Sequence, residues 1–154
     1  MKPATRRVVE AFEQRGRPIE ITEFAESTRT AAEAAAAIGT TVPRIVKSLV
    51  FLADDQPLVV LASGSNRVDT AKLERLLGQR VRRADADRVR AETGFAIGGV
   101  PPLGHARPLP VYVDEDLLQF DTVWAAAGTP YSVFPIAPRE LVDLSAGTVA
   151  DVKE

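Results

Sequence analysis

Two apolar runs, residues 45–52 and 58–62, are separated by the polar turn residues 54–57, and this pairing constrains the fold more than any other feature. Two short β-branched and apolar runs around such a turn predict a β-hairpin. Side chains alternate between the faces of a strand, and the first run is apolar on both faces apart from Lys47 and Ser48. This pattern is typical of a strand covered on both sides, so we expect other parts of the chain to pack on each face.

The rest of the chain alternates between predicted helices and short strands. Amphipathic spacing, capping residues and terminal glycines predict helices over residues 3–15, 31–38, 70–77, 85–93 and 138–144. Further strands are predicted at residues 18–24, near Val81, and at residues 109–113, 123–127, 131–136 and 148–152. There is no internal repeat or interdomain linker, and 154 residues suit one domain. We therefore predict an α+β fold with a mixed, curled sheet in a single domain over residues 1–154.

The absence of cysteine narrows the possible chemistry. It excludes disulfides, thiolate metal sites and cysteine nucleophiles, and it suits a reducing, cytoplasmic location. No segment approaches the roughly 20 apolar residues that a membrane-spanning helix needs, and the N-terminal stretch lacks the apolar run of a signal peptide. With 19 basic and 21 acidic residues, the formal net charge is -2, so any contact with RNA should be local. We predict no membrane partner and no DNA partner.

Basic residues cluster in the middle of the chain. They could form a solvated face that pairs with nearby acidic residues, or a rim that contacts phosphate groups. The sequence leaves both interpretations open. The cluster comprises Lys72, Arg75, Arg80, Arg82, Arg83, Arg88 and Arg90.

Lys47 is the first candidate for chemistry because it interrupts an apolar strand. An ammonium group in such a place is costly unless it has a partner or reaches a water-filled pocket. A functional lysine fits this requirement. A lysine whose charged end extends to solvent at the start of the strand fits it equally well.

The loop at residues 98–102 is the second candidate. Residues 94–105 contain four glycines and two prolines, so they cannot form a regular element. A rigid glycine–proline loop with free N–H groups can bind a carbonyl oxygen or an anion. An ordinary tight turn between a helix and a strand is the alternative, and neither GxGxxG nor a GK[ST] phosphate loop is present.

Other candidates are weaker. His105 is the only histidine, so it is either a general base or a structural residue. With one histidine and no cysteine, we predict no metal site and no cofactor. No serine lies in a GxSxG elbow, which leaves a hydrolase triad without support. Residues 114–116 (DED) could bind a hard cation, although a solvated acidic turn is the simpler interpretation.

Taken together, three segments resemble the YbaK/ProX family, which comprises free-standing relatives of the editing domain inserted in bacterial prolyl-tRNA synthetase. Either main motif alone would be weak, but both occur in order and at the expected separation. The resemblance extends from about Thr28 to the C-terminus. The segments that carry it are residues 45–51 (IVKSLVF), 93–95 (TGF) and 98–104 (GGVPPLG), and it continues through residues 123–128 (VWAAAG).

The resemblance implies trans-editing, which is hydrolysis of the ester between a wrong amino acid and its tRNA, without a metal. The family's substrates are typically alanine, cysteine, serine or a similar small residue on tRNA for proline, so misacylated tRNA and prolyl-tRNA synthetase are the implied partners. The implied fold is a mixed, barrel-like β-sheet surrounded by helices. The family's lysine falls on Lys47 and its GxxxP loop on residues 98–102. The implied catalytic residues are Lys47, Gly98 and Gly99, and the implied substrate-binding residues are Ser48, Val100, Pro101, Pro102 and Gly128.

The chain departs from the family where the amino acid would be selected. Some members carry a serine and an aspartate near the places of Ala126 and Val133, and others carry a histidine in an Asn-Pro-Leu type segment. Here residues 128–132 read GTPYS instead. Ser48 stands where threonine is common, which keeps a hydroxyl. The sequence therefore predicts the shared part of the site but not which amino acid is edited.

Two other functions stay open. A binding module of the same fold would hold the acceptor end of tRNA or a synthetase without turnover. A hydrolase of small aminoacyl compounds would act on minimal esters and would not need the body of the tRNA.

Overall fold

The predicted hairpin lies at the centre of the fold. The structure is a computed structural model that describes the whole chain, Met1–Glu154. Strands β2 (Val46–Ala53) and β3 (Gln56–Ser63) pair antiparallel, and Ala53 lies opposite Gln56. The turn is therefore shorter than predicted and consists of Asp54 and Asp55, whose φ angles of 45° and 70° are both positive. Two-residue hairpin turns require positive φ, and aspartate tolerates it better than most residues.

The hairpin belongs to a mixed sheet of five strands, in the order β4-β2-β3-β5-β8. Strand β4 (Val81–Arg83) pairs antiparallel with β2, whereas β5 (Val111–Asp114) runs parallel to β3 and β8 (Thr148–Ala150) runs parallel to β5. The second sheet has three strands in the order β1-β7-β6, with β1 at Thr22–Glu23, β6 at Val123–Ala126 and β7 at Ser132–Ile136.

A single parallel bridge between Ile45 and Trp124 connects the two sheets. This bridge brings β6 beside the N-terminal end of β2, where Lys47 lies. The α+β class and the mixed sheet are confirmed. The sheets do not close into a barrel, so the barrel-like closure implied by the resemblance is not confirmed.

The five helices begin and end close to the predicted residues because nearby residues in the sequence determine where each helix starts and stops. Thr30 and Glu33 form the predicted capping box, with reciprocal hydrogen bonds of 3.1 Å. Asp69 and Asp85 cap the next two helices through their side chains. The helices are α1 (Pro3–Gln14), α2 (Ala31–Ile38), α3 (Thr70–Leu77), α4 (Ala86–Thr93) and α5 (Pro138–Ser145).

The strand predicted at residues 18–24 is mostly wrong, because only Thr22 and Glu23 pair, with Val133 and Ser132 of β7. The alternating pattern nevertheless has a cause. Ile19 and Ile21 pack against the main core although no strand pairs with their backbone. The alternating pattern therefore indicates which side of the segment is buried. It does not indicate that the segment pairs with another strand.

Both faces of the hairpin are covered, as the sequence predicted. Val46, Val50 and Leu52 face the main core, whereas Phe51 and Ala53 face a second cluster that includes Leu73 of α3. Burial of each large apolar side chain stabilises the fold by about 1.5–3 kcal/mol, so a two-sided strand is strongly fixed in register. The longest helix has 12 residues, and no helix has the length and apolar character that a membrane crossing requires.

Candidate active site

A cavity of about 410 Å³ lies where the N-terminal half of β2 meets β6 and the loop at residues 98–100. Four of the predicted site residues line it: Lys47, Ser48, Gly98 and Val100. Lys47 and Gly98 are far apart in sequence, and each alone was an ambiguous signal. The structure brings them to one cavity.

The other predicted residues lie behind the cavity wall. Gly99 packs on the next loop so closely that a Cβ atom there would lie 2.8 Å from the carbonyl oxygen of Gly128. Gly128 in turn packs on α1, where an added Cβ atom would lie 2.6 Å from the carbonyl oxygen of Ala4. Pro101 and Pro102 are buried. These four residues fix the position of the loop, and they do not line the cavity.

His105 has a structural contact. Its Nε2 lies 2.8 Å from the carbonyl oxygen of Pro101, to which the Nε2–H tautomer donates a hydrogen bond. Burial lowers the pKa of His105, and the hydrogen bond to Pro101 partly opposes this shift. His105 does not line the cavity, so its geometry favours the structural interpretation over a general base.

Lys47 is half-buried and its ammonium group has a defined partner. Its Nζ donates a hydrogen bond to the backbone carbonyl oxygen of Asn66. Burial is the main cause that lowers the pKa of Lys47, and the charges of Arg83 and Arg67 lower it further while Asp114 opposes them. The lysine is therefore held at the cavity wall and does not simply extend into solvent.

A buried polar network holds the residue that binds Lys47. The side-chain amide of Asn66 donates to Asp114 and to Asp116, with both distances 2.8 Å. Asp114 is completely buried and also accepts from the backbone N–H groups of Ser63 at 3.0 Å and Asp116 at 2.9 Å. The interpretation of residues 114–116 as a solvated acidic turn is therefore wrong for Asp114.

The lowered pKa of Lys47 predicts a pH effect on stability. Because the unfolded chain holds this proton up to the ordinary pKa of 10.5 and the folded protein loses it earlier, the unfolded chain binds more protons between the two values. The contribution of Lys47 to stability should therefore rise with pH in that alkaline window. Urea unfolding of the wild type and Lys47→Met should show the wild type gaining stability relative to the variant as pH approaches 10.5. A difference that stays constant with pH would contradict this assignment.

Two of the three backbone N–H groups of loop residues 98–100 are available as hydrogen-bond donors. The N–H of Gly99 donates to the carbonyl oxygen of Ala96 at 2.9 Å. The N–H groups of Gly98 and Val100 have no acceptor within the protein. Unpaired backbone N–H groups beside a cavity are suited to bind a carbonyl oxygen or an anion.

Gly98 has a φ angle of +89°, which favours glycine, and Arg29 lies directly on it. Alanine at this position should cost about 1–2 kcal/mol of stability from backbone strain. It should also displace Arg29, because the added Cβ would lie 2.6 Å from Arg29 Cγ. We expect Gly98→Ala to lower both the stability and the rate of any reaction in the cavity.

Gly39→Ala is the matched control for this prediction. Gly39 has a similar φ of +84°, but an added Cβ would have no neighbour within 4 Å and the residue lies outside the cavity. Gly39→Ala should lower stability and leave the cavity's activity unchanged. Thermal unfolding and activity of both variants test the pair. Equal activities would show that the loop conformation at Gly98 does not matter to the chemistry.

The remaining wall of the cavity is mainly apolar. It includes Ile45, Trp124, Ala126 and Val133, so the two positions near which some family members carry a serine and an aspartate both line the cavity. Ser48 adds a polar group: its buried Oγ has no hydrogen-bond partner in the structure. A bound molecule with a polar group could satisfy this hydroxyl.

Sequence reasoning missed several residues of the site. Arg29 and Trp124 line the cavity, and the backbone carbonyl oxygen of Asn66 accepts the hydrogen bond from Lys47. Neither Arg29 nor Asn66 belongs to a periodic pattern or motif that marks a site, and Trp124 lies in the resembling segment 123–128 without being singled out by it. The position of Trp124 beside the strand of Lys47 follows only from the bridge between the two sheets.

Comparison with known proteins agrees with this geometry. The model of the aminoacyl-tRNA editing domain family matches residues 25–144. The uncharacterized protein YwhH of Bacillus subtilis is 37% identical over 135 residues, which cover 87% of this chain and 86% of YwhH. A proposed Cys-tRNA(Pro)/Cys-tRNA(Cys) deacylase of Enterococcus faecalis, EbsC, is 28% identical over 91% of this chain and 88% of its own length.

Solved structures and a synthetase extend the comparison. The crystal structure of a proposed trans-editing enzyme for prolyl-tRNA synthetase is 51% identical, with a TM-score of 0.95 and coverage of 100% of this chain and 99% of that one. The proline–tRNA ligase of Moorella thermoacetica is 34% identical over 90 residues, which are 58% of this chain but only 16% of the ligase. Because the family match includes Lys47 and the whole loop at residues 98–102, the chain belongs to the aminoacyl-tRNA editing domain family.

Proposed function

We propose that this protein is a deacylase that hydrolyses misacylated tRNA in trans, with tRNA for proline carrying a small wrong amino acid as its substrate. The observation that carries the proposal is the cavity lined by Lys47, Gly98 and Val100, of which the two loop residues have backbone N–H groups without an acceptor in the protein. Family membership supports the substrate class. The whole chain, residues 1–154, acts as one editing unit, in the cytoplasm where aminoacylation takes place.

The reaction needs little chemical assistance because an aminoacyl ester is already reactive. Water attacks the carbonyl carbon, and the developing oxyanion is stabilised by the N–H groups of Gly98 and Val100. The bond between the carbonyl carbon and the ribose oxygen then breaks, the ribose oxygen takes a proton, and free amino acid and tRNA leave. Positioning of the ester and of the attacking water supplies the rest of the rate.

Lys47 has two possible roles that share one requirement. Its ammonium can hold the ribose or terminal phosphate of the tRNA, or it can polarise the attacking water. Either role needs the ammonium to stay at the cavity wall, where the carbonyl oxygen of Asn66 holds it. A hydroxyl of the substrate's own ribose can assist the attack, so the mechanism does not require a catalytic triad.

The cavity wall supports a small amino acid with limited polarity. Ala126, Val133 and Trp124 offer apolar contacts, and the unpaired Oγ of Ser48 offers one hydrogen bond. EbsC is named for cysteine on tRNA for proline, which makes cysteine one candidate for this chain. Alanine, serine, threonine and 2-aminobutyrate are the others. A prolyl-tRNA synthetase, the source of such errors, is the proposed partner.

A deacylation panel tests the proposal. Purified protein is incubated with tRNA for proline charged with each of the five candidate amino acids, and release is followed with time. At least one should be hydrolysed, and the same amino acid as a simple ethyl ester should react much more slowly. Faster reaction with the simple ester would favour a small-molecule hydrolase. No release from any charged tRNA by the folded protein would contradict the proposal.

A further inference from the structure

The charges around the cavity are all positive. Arg29, Lys47 and Arg83 are the charged residues that line it, and no aspartate or glutamate does so. The protein as a whole has a formal net charge of -2, so this concentration does not reflect an overall excess of basic residues. A cleft with one sign of charge raises the local concentration of ligands of the opposite sign.

Two of these residues, Arg29 and Arg83, are free to bind a ligand, in contrast to the nearby Arg82 and Arg88. Arg82 pairs with Asp55 at 3.2 Å and Arg88 pairs with the same carboxylate at 2.9 Å. Arg83 follows Arg82 on β4 and so faces the other side of the strand, where its guanidinium lies 5.8 Å from the centre of the Phe51 ring. The side chains of Arg29 and Arg83 are exposed and form no ion pair or hydrogen bond.

The α-amino group of the aminoacyl ester is not the ligand of these arginines. It is positively charged in part or in full near neutral pH, so a second and third cation beside it would repel it. The anionic groups closest to an aminoacyl ester are the phosphodiesters of the nucleotides that carry it. Arginine is well suited to phosphate because its planar guanidinium can donate two parallel hydrogen bonds.

We propose that Arg29 and Arg83 bind the phosphodiester groups of the 3′-terminal nucleotides of tRNA and so orient its acceptor end over the cavity. The substrate class rests on the proposed function. The two side chains come from different parts of the chain, the loop before α2 and strand β4, and both reach the cavity that contains Lys47. Both interpretations of the basic cluster in the middle of the chain therefore apply, but to different residues. Arg82 and Arg88 belong to a solvated face with Asp55, whereas Arg83 contacts phosphate.

The test measures binding of uncharged tRNA, so it does not depend on hydrolysis. Fluorescence anisotropy compares tRNA for proline that ends in CCA with the same tRNA lacking those three nucleotides. The proteins are the wild type, Arg29→Gln, Arg83→Gln and the control Arg82→Gln, each checked for folding by circular dichroism. Arg82 is the matched control because it neighbours Arg83 in sequence and already has a carboxylate partner.

We expect Arg29→Gln and Arg83→Gln each to weaken binding of the CCA-ending tRNA about tenfold, as for a charged hydrogen bond. The salt dependence, d log K/d log[salt], should become shallower by about 0.7 for each lost phosphate contact on a single strand. Arg82→Gln should bind like the wild type. For tRNA that lacks CCA, all four proteins should bind alike.

Two outcomes would overturn the inference. Unchanged affinity of both arginine variants would show that they do not contact phosphate. Equal weakening with and without the CCA end would place the contacts elsewhere on the tRNA. Failure of the proposed function gives a different result. A protein that binds as expected here but releases no amino acid in the deacylation panel would not be a deacylase, and Arg29 and Arg83 would still be assigned to phosphate binding.

Discussion

Replacing Lys47 by methionine should lower the rate constant for deacylation of misacylated tRNA by about 100-fold or more, the usual effect of removing one preorganised charged group or proton-transfer group. Methionine replaces the unbranched apolar stem of lysine and lacks only the charged end, so the strand should still pack against both cores. The variant loses the ammonium that the carbonyl oxygen of Asn66 holds at the cavity wall. Single-turnover deacylation at saturating protein measures the effect separately from binding.

Lys72→Met is the control for that experiment. Lys72 also carries an ammonium group, but this residue lies on α3, outside the cavity. Its ammonium pairs with Asp151 at 2.8 Å. Its loss should leave the rate constant unchanged. If Lys47→Met deacylated tRNA as fast as Lys72→Met and the wild type, Lys47 would have no catalytic role.

Replacing Asp114 by alanine should lower the free energy of unfolding by about 3 kcal/mol or more. The carboxylate is completely buried and accepts hydrogen bonds from the backbone N–H groups of Ser63 and Asp116 and from the Asn66 side chain. Its removal leaves buried donors without an acceptor, which costs about 1–3 kcal/mol for each donor that water cannot reach. It also leaves a cavity in the polar core between β3 and β5.

Urea denaturation measures this loss, and Asp151→Ala is its control. Asp151 is an exposed carboxylate that pairs with Lys72, so its removal should have only a small effect. Asp114→Asn keeps the shape of the side chain and one acceptor oxygen, so its stability should lie between those of the wild type and Asp114→Ala. Equal stability of Asp114→Ala and Asp151→Ala would mean that the buried network does not stabilise the fold.

The Asp114 variant also tests how Lys47 is positioned. If Asn66 holds Lys47 because Asp114 holds Asn66, the Asp114→Asn protein should lose part of its single-turnover rate at temperatures where it is fully folded. A purely structural network would change stability alone.

Local sequence predicted the parts of the fold that local forces determine. The capping box at Thr30 and Glu33 and the turn at Asp54 and Asp55 depend on a few neighbouring residues, so their chemistry is visible in the sequence. The two-sided burial of β2 was predictable because both of its faces are apolar. The strand at residues 18–24 was not, because burial of Ile19 and Ile21 gives the same alternating pattern as strand pairing.

The site depends on contacts between distant residues, which no local pattern records. Residue types alone left Lys47 and the loop at residues 98–102 each ambiguous, and only the family resemblance joined them. The role of Asp114 was hidden because an acidic run resembles a solvated turn, while its partners Ser63 and Asn66 lie on another strand and its adjoining loop. Gly99 and Gly128 were predicted beside the substrate, and their close packing on one another follows only from the folded chain.

The most direct test of the central claim is multiple-turnover release of amino acid. A small amount of protein is added to an excess of tRNA for proline charged with alanine, cysteine or serine, and to the same tRNA charged correctly with proline. We predict release of many equivalents of at least one wrong amino acid per protein molecule, with prolyl-tRNA largely spared. Binding of the charged tRNAs without release of any amino acid would contradict the account and would identify the protein as a binding module of this fold.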